Sequence, residues 1–135
     1  VKTENINNHK MHSEWGELTS DVVEEILECK KNGGKILTVG TTTLRLVEAA
    51  FDKKEKTIKP FSGYTNIFIK PGYKFNVPDL LLTNFHLPKS TLLMLVSAFG
   101  GYNNLKKAYQ YAIDNQYRFF SYGDCCLIKK NNEKL

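Results

Sequence analysis

The stretch Asp79–Gly101, reading DLLLTNFHLPKSTLLMLVSAFGG, sets reactive side chains between two apolar runs of different character. Leu80-Leu81-Leu82 is short, apolar and near a proline, as in a buried strand, whereas Leu92 to Phe99 is apolar for long enough to form a buried helix. Asn84, His86, Lys89 and Ser90 therefore fall on a strand-to-helix turn, and in α/β proteins such turns line the ligand crevice at the carboxyl ends of the strands. Core packing accounts for the leucines. It gives no reason to put His86 and Lys89 between them.

Upstream, Thr19 or Ser20 caps a helix running to about Lys31, with Val22, Val23, Ile26 and Leu27 as its apolar stripe and Gly33-Gly34 as its end. Lys35 to Val39 reads as a buried strand with Gly40 as its exit turn, and Leu44, Val47 and Phe51 give helical spacing over Thr42 to Phe51. Asp52 to Lys59 is a charged loop. Thr65 to Lys70 alternates as a strand, and Pro71-Gly72 turns it back into Tyr73 to Val77, which predicts a hairpin. Downstream, Asn103 or Asn104 starts an amphipathic helix to about Asn115, and Arg118 to Tyr122 and Cys125 to Ile128 read as short strands. Strands alternating with helices predict an α/β fold without internal repeats.

A chain of 135 residues, 41% of them hydrophobic, suits one domain with a real core. Nineteen Lys and Arg against fourteen Asp and Glu leave a net charge of +5, gathered at Lys53-Lys54-Glu55-Lys56, Lys106-Lys107 and Lys129-Lys130. Such a surface attracts phosphates, although lysine-rich solvated faces are also common. Three cysteines, two of them adjacent, make no disulfide framework and point to a reduced, cytoplasmic setting. No run reaches the length of a membrane span, and the polar beginning lacks the apolar core of a secretory signal. Val1 to Ile6 reads as the second half of a strand, which predicts an uncovered sheet edge or apolar patch and a tendency to associate.

Five ordered blocks carry a family resemblance: HKMHSE at His9–Glu14, VGTTTLRLVE at Val39–Glu48, TNIFIKPGY at Thr65–Tyr73, the stretch Asp79–Gly101, and YRFFSYGD at Tyr117–Asp124. Together they resemble the S-adenosylmethionine:tRNA ribosyltransferase-isomerases of queuosine biosynthesis. The resemblance implies that the ribosyl moiety of S-adenosylmethionine moves onto 7-aminomethyl-7-deazaguanine in a tRNA anticodon loop. Epoxyqueuosine forms, and adenine and methionine leave. It further implies S-adenosylmethionine as a consumed cosubstrate, tRNA as partner, no metal and no membrane. The family's chains are more than twice as long and have two domains. Residues 1–135 are accordingly expected to be the C-terminal portion of the larger, catalytic α/β domain, without the smaller β-barrel domain and inactive alone. Cys125-Cys126 departs from the small or apolar residues usual after this Gly-Asp.

Such chemistry needs a base for the acidic carbon beside the sulfonium or for the attacking ammonium, and an acid for departing adenine. His12 and Glu14 share one side of an extended chain, so the carboxylate can hold the imidazole's tautomer, though two solvated side chains would look the same. Gly40, Thr41 and Thr42 open a helix whose amides, together with Arg45, can take the cosubstrate's carboxylate, while Glu48 accepts from a hydroxyl or ammonium. The plainer alternative is a cap, with Arg45 and Glu48 paired at helical spacing. Asp79, Asn84, His86, Lys89 and Ser90 form a third set, in which His86 is the first candidate for general acid or base and Lys89 for a phosphate or carboxylate. Ser90 also suits a helix cap. Arg118, Tyr122 and Asp124 border an aromatic run able to stack a splayed base. The catalytic candidates are thus His86, His12, Glu14 and Asp79, and the tRNA-binding candidates Asn84, Lys89, Ser90, Arg118, Tyr122 and Asp124. The competing reading is a non-catalytic, basic RNA-binding fragment. Zinc ligation by the histidines and Cys125 or Cys126 is disfavoured, because the adjacent cysteines lack a spacer.

Overall fold

A computed structural model describes residues 14–65, 67, 69, 72–85, 91–116 and 124–131. In chain order the elements are β1 (Glu14–Leu18), α1 (Ser20–Lys31), β2 (Leu37–Val39), α2 (Thr41–Ala49), β3 (Phe51–Asp52), β4 (Thr57–Ile58), β5 (Phe61–Thr65), β6 (Leu80–Asn84), α3 (Thr91–Gly100), α4 (Tyr102–Asp114) and β7 (Cys125–Lys129). The fold is mixed α/β, as the alternation predicts. No helix among the described residues is long and apolar enough to cross a membrane.

The organising element is a three-stranded sheet of order β2-β6-β7, with β2 parallel and β7 antiparallel to the central β6. Thr38, Leu81, Thr83 and Ile128 point to one face and are buried. Helices α2 and α3 pack on the strands of this sheet. The central core joins Leu81 and Phe85 of the β6 segment to Leu95 and Phe99 of α3 and to Leu105 and Tyr109 of α4. Edge-to-face ring pairs tie it further: Phe75 meets Phe99 at 5.0 Å and Phe85 meets Tyr109 at 5.1 Å between centroids. A second cluster sits under β1 and α1, around Leu18, Val23, Val47 and Val77.

Thr19 is the cap of α1, its hydroxyl accepting from the Val22 amide at 3.4 Å, and Gly33 at φ 79° carries the chain out of the helix. Of the predicted stripe, Val23 is buried, whereas Val22 and Leu27 are exposed. The predicted helix over Thr42–Phe51 starts one residue earlier and ends at Ala49, because Phe51 and Asp52 pair with Ile58 and Thr57. The charged loop is therefore a tight hairpin. The Asp52 carboxylate accepts from the Lys54 and Glu55 amides at 2.8 and 3.1 Å, and Lys56 takes φ 56°.

Among the described residues the hairpin expected between Thr65–Lys70 and Tyr73–Val77 is not present. Thr65 instead ends β5, which pairs antiparallel with β1 over Glu14↔Thr65 to Leu18↔Phe61, and the described residues 67, 69 and 72–79 carry no strand. Ile69, Phe75 and Val77 are buried all the same. Part of the backbone hydrogen bonding that a ladder would have supplied there comes from the side chain of Glu48. The strand expected at Val1–Ile6 and that at Arg118–Tyr122 lie outside the described residues.

Candidate functional site

Parallel pairing of β2 with β6 brings two strand exits to one edge of the sheet. The Gly40 amide donates to the Leu82 carbonyl at 2.8 Å, so β2 ends beside the last residues of β6. Asn84 is the register partner of Cys125, with Asp124 just before it. Gly40 has φ 89°, a conformation that favours glycine, and turns the chain directly into α2. No side-chain hydrogen bond caps that helix. Its first-turn amides, at Thr41 and Thr42, have no acceptor within the helix and form the positive end of its dipole. Gly40, Thr41, Thr42, Asn84 and Asp124 therefore meet at the carboxyl edge, where open α/β sheets bind ligands.

Glu14, at the start of β1, enters the same neighbourhood. Its carboxylate accepts from Arg45 Nη1 at 2.9 Å and from the Thr42 hydroxyl at 3.2 Å. The Arg45 side chain is only 2% exposed, and its Nε and Nη2 donate to the Ile67 carbonyl at 3.3 and 3.2 Å. Burial lowers the guanidinium's pKa, with Glu14 acting in the opposite direction. An arginine so placed remains protonated. The Glu14 side chain is 43% exposed, so one carboxylate faces solvent while its position is fixed from behind by a buried cation.

One expectation is corrected by these contacts. Arg45 and Glu48 do not pair along the helix, although both are buried. Glu48 lies 3% exposed and accepts from the Asn76 and Val77 amides, each at 2.8 Å, and from the Tyr73 hydroxyl at 3.0 Å. Through these bonds Glu48 clasps the 73–77 segment to α2. The Tyr73 hydroxyl's pKa is raised by burial and by the neighbouring carboxylate.

Asp79 likewise leaves the set in which it was expected. Its carboxylate accepts from the Ile36 amide at 2.8 Å at the entrance to β2, and its own carbonyl accepts from the Lys130 amide at 2.9 Å. It stands five residues before Asn84 on an extended strand, roughly 17 Å away at the opposite edge of the sheet. Asp79 and Asn84 are close along the chain, but strand β6 lies between them. His12, His86, Lys89, Ser90, Arg118 and Tyr122 lie outside the described residues.

Sequence reasoning missed the contact between Glu14 and Arg45, which are 31 residues apart. The one available signal was an arginine on a helix face that also carries Leu44 and Val47, where a cation is buried only with partners. Burial raises the pKa of the Cys126 thiol to about 11, with Cys125 adding to it, whereas Cys125 is exposed. Among the described residues no group of three or more His, Cys, Asp and Glu is arranged to hold a metal.

Fold and geometry together define an α/β domain in which the exit of β2 and the end of β6 share one edge of the sheet. A family model described as queuosine biosynthesis protein matches residues 1–128, and the chain belongs to that family. It is 54% identical over 128 residues to the S-adenosylmethionine:tRNA ribosyltransferase-isomerase of Bradyrhizobium diazoefficiens, covering 95% of this chain and 35% of that protein. The protein of the same name from Coxiella burnetii is 52% identical over 128 residues, covering 95% and 37%. The solved structure of an S-adenosylmethionine tRNA ribosyltransferase from Thermotoga maritima superposes with a TM-score of 0.79 at 41% identity. That match takes in 84% of this chain and 40% of the other. The chain thus spans little more than a third of the length of the curated relatives it matches.

Proposed function

We propose that this chain is the C-terminal portion of the catalytic α/β domain of a tRNA-modifying transferase-isomerase. The reaction transfers the ribosyl moiety of S-adenosylmethionine to 7-aminomethyl-7-deazaguanine in a tRNA anticodon loop, forms epoxyqueuosine and releases adenine and methionine. The observation that carries the reading is the half-exposed Glu14 carboxylate, held by buried Arg45 and by Thr42 at the carboxyl edge of the sheet. A base with a fixed position and an open face suits removal of a proton from the carbon beside the sulfonium or from the attacking ammonium. His12, two residues before Glu14, works with it in this scheme, and His86 serves as the acid for departing adenine or as the alternative base.

Gly40, Thr41 and Thr42 receive the carboxylate of S-adenosylmethionine at the helix N-terminus. Arg45 acts through Glu14 as a positioning residue. Asn84 and Asp124 border the deazaguanine, with Lys89, Ser90, Arg118 and Tyr122 along the tRNA. The family resemblance implies no metal, and the reaction runs in the cytoplasm in this scheme.

The test uses a chimera in which this chain replaces the matched region of the Coxiella burnetii relative. Adenine release is measured with S-adenosylmethionine and tRNA carrying the aminomethyl base. Glu14→Gln should lower turnover by about a hundredfold or more, the usual range for a positioned proton-transfer group, and leave tRNA affinity unchanged within about twofold. Unchanged turnover removes Glu14 from the chemistry. Salt-sensitive tRNA binding by a chimera that never releases adenine supports the non-catalytic RNA-binding reading instead.

A further inference from the structure

Helix α4 carries two rows of side chains on opposite sides. Leu105, Tyr109 and Ala112 are buried in the central core, and Asn103, Lys107 and Gln110 repeat the same spacing two residues earlier. At 3.6 residues per turn an offset of two residues is a rotation of about 200°, so the second row faces away from the core. Lys106 stands beside it, all four residues are exposed, and they line an open groove of about 530 Å³. Every side chain in that lining carries a hydrogen-bond donor, and among the described residues neither lysine is paired with a carboxylate. No side-chain hydrogen bond caps α4 at Gly101, so the positive end of the helix dipole lies next to Asn103.

The first turn of α4 sits at the edge of the sheet where β7 ends. There the Lys130 amide donates to the Asp79 carbonyl and the Asn131 amide to the Phe99 carbonyl, both at 2.9 Å, just before Gly101. Further along the helix the ring of Tyr109 meets Phe85, one residue beyond Asn84, at 5.1 Å. The exposed row therefore leads from the Asp79 edge toward the edge that holds Gly40, Thr42 and Asn84. Lys106, Lys107 and Lys130 gather near its start, and Asp114, which accepts from Gln110 Nε2 at 2.9 Å, marks its end.

We propose that this groove holds the phosphate backbone of an RNA stem whose loop reaches the candidate site. Ammonium groups and side-chain amides set along a line suit a run of phosphates. A lipid surface needs an apolar helix face, and that of α4 is turned into the core. The two edges of the sheet stand roughly 17 Å apart, which is about five steps of a duplex, so one hairpin spans the lysines and the site. The identity of the RNA as tRNA rests on the reaction proposed above. Adenine release by the chimera tests that reaction, whereas binding by the 135-residue chain tests the groove, so either can fail alone.

The chain is titrated at several salt concentrations with an unmodified tRNA anticodon stem-loop, with the single-stranded loop alone, and with vesicles of phosphatidylserine and phosphatidylcholine. The double variant Lys106→Gln, Lys107→Gln is compared with Lys53→Gln, Lys54→Gln, which removes the same charge from the exposed β3–β4 hairpin. Glutamine matches lysine in helix propensity, so the melting temperature should stay within about a degree of the parent's. For the stem-loop the α4 variant should lose about tenfold in affinity at about 0.15 M salt, and its slope of log affinity against log salt should shrink by about 1.8. The hairpin variant should lose less than about twofold, and the loop alone should bind both variants alike. Equal losses in the two variants overturn the proposal, as does a loss that is the same for loop and stem-loop. A parent chain that leaves the stem-loop unbound, or prefers the vesicles to it, overturns it too.

Discussion

Removing the carboxylate of Glu14 should cost more stability than removing the guanidinium of Arg45, although the two share one ion pair. Glu14→Ala takes the carboxylate partner from a cation that is 2% exposed, whose bonds to the Ile67 carbonyl are long and uncharged. Breaking a buried pair from one side costs about 3–5 kcal/mol, and the lower end applies because water reaches the space vacated by a half-exposed carboxylate. Arg45→Met instead removes the buried charge and keeps the packed stem. It leaves Glu14, 43% exposed, to solvent, and leaves the Ile67 carbonyl without these donors, for about 1–3 kcal/mol. The double variant then has no buried cation that has lost its carboxylate. Its cost should lie near that of Arg45→Met alone, well below the sum of the single costs, with a coupling of about 3 kcal/mol. Urea unfolding of the four proteins, followed by circular dichroism and extrapolated with a common m-value, measures all the terms. Additive costs, or a larger loss for Arg45→Met than for Glu14→Ala, would refute the assignment of Arg45 as the buried support of an exposed carboxylate.

Two other measurements probe the frame around the site. Tyr73 has its folded-state pKa raised above the ordinary phenol value, so its contribution is fully present below about pH 10 and is lost as pH rises through the folded pKa. Tyr73→Phe should therefore flatten the alkaline limb of the stability curve and, at neutral pH, cost about 1.5–3 kcal/mol for the lost hydrogen bond to the Glu48 carboxylate; an identical alkaline limb in the variant would exclude Tyr73 as a contributor. At Gly100 an added Cβ would stand 2.5 Å from both Ile128 Cγ2 and Leu105 Cδ2, where α3 meets β7 and α4, so Gly100→Ala should destabilise by about 1–3 kcal/mol despite alanine's better helix propensity, and a stabilised variant in thermal melts would show that this junction is loosely packed.

Local physical chemistry sufficed for much of the molecule. The capping hydroxyl of Thr19, the apolar runs Leu80–Leu82 and Leu92–Phe99, and the glycine after Val39 each specify an element through neighbours a few residues away, and the structure contains β6, α3 and the turn into α2 at those places. The same local cues placed Gly40, Thr41, Thr42, Asn84 and Asp124 at strand or helix ends, and the pairing of β2 and β7 with β6 gathers them at one edge. What tertiary structure decided was which partner each polar side chain found. Arg45 and Glu48 sit at helical spacing and were equally able to pair with each other, but β1 brings a carboxylate to Arg45 and the 73–77 segment brings amides to Glu48. Asp79 joins the opposite edge because an intervening strand converts closeness in sequence into distance in space. Ile67, Ile69, Phe75 and Val77 carry strand-like alternation, yet the β5 register to β1 and the clasp at Glu48 leave no ladder for the described part of that segment. Periodicity reports burial along one element. The donors and acceptors that meet across elements are set by the packing of the whole chain, because a buried charge accepts whatever partner the fold brings within hydrogen-bonding reach.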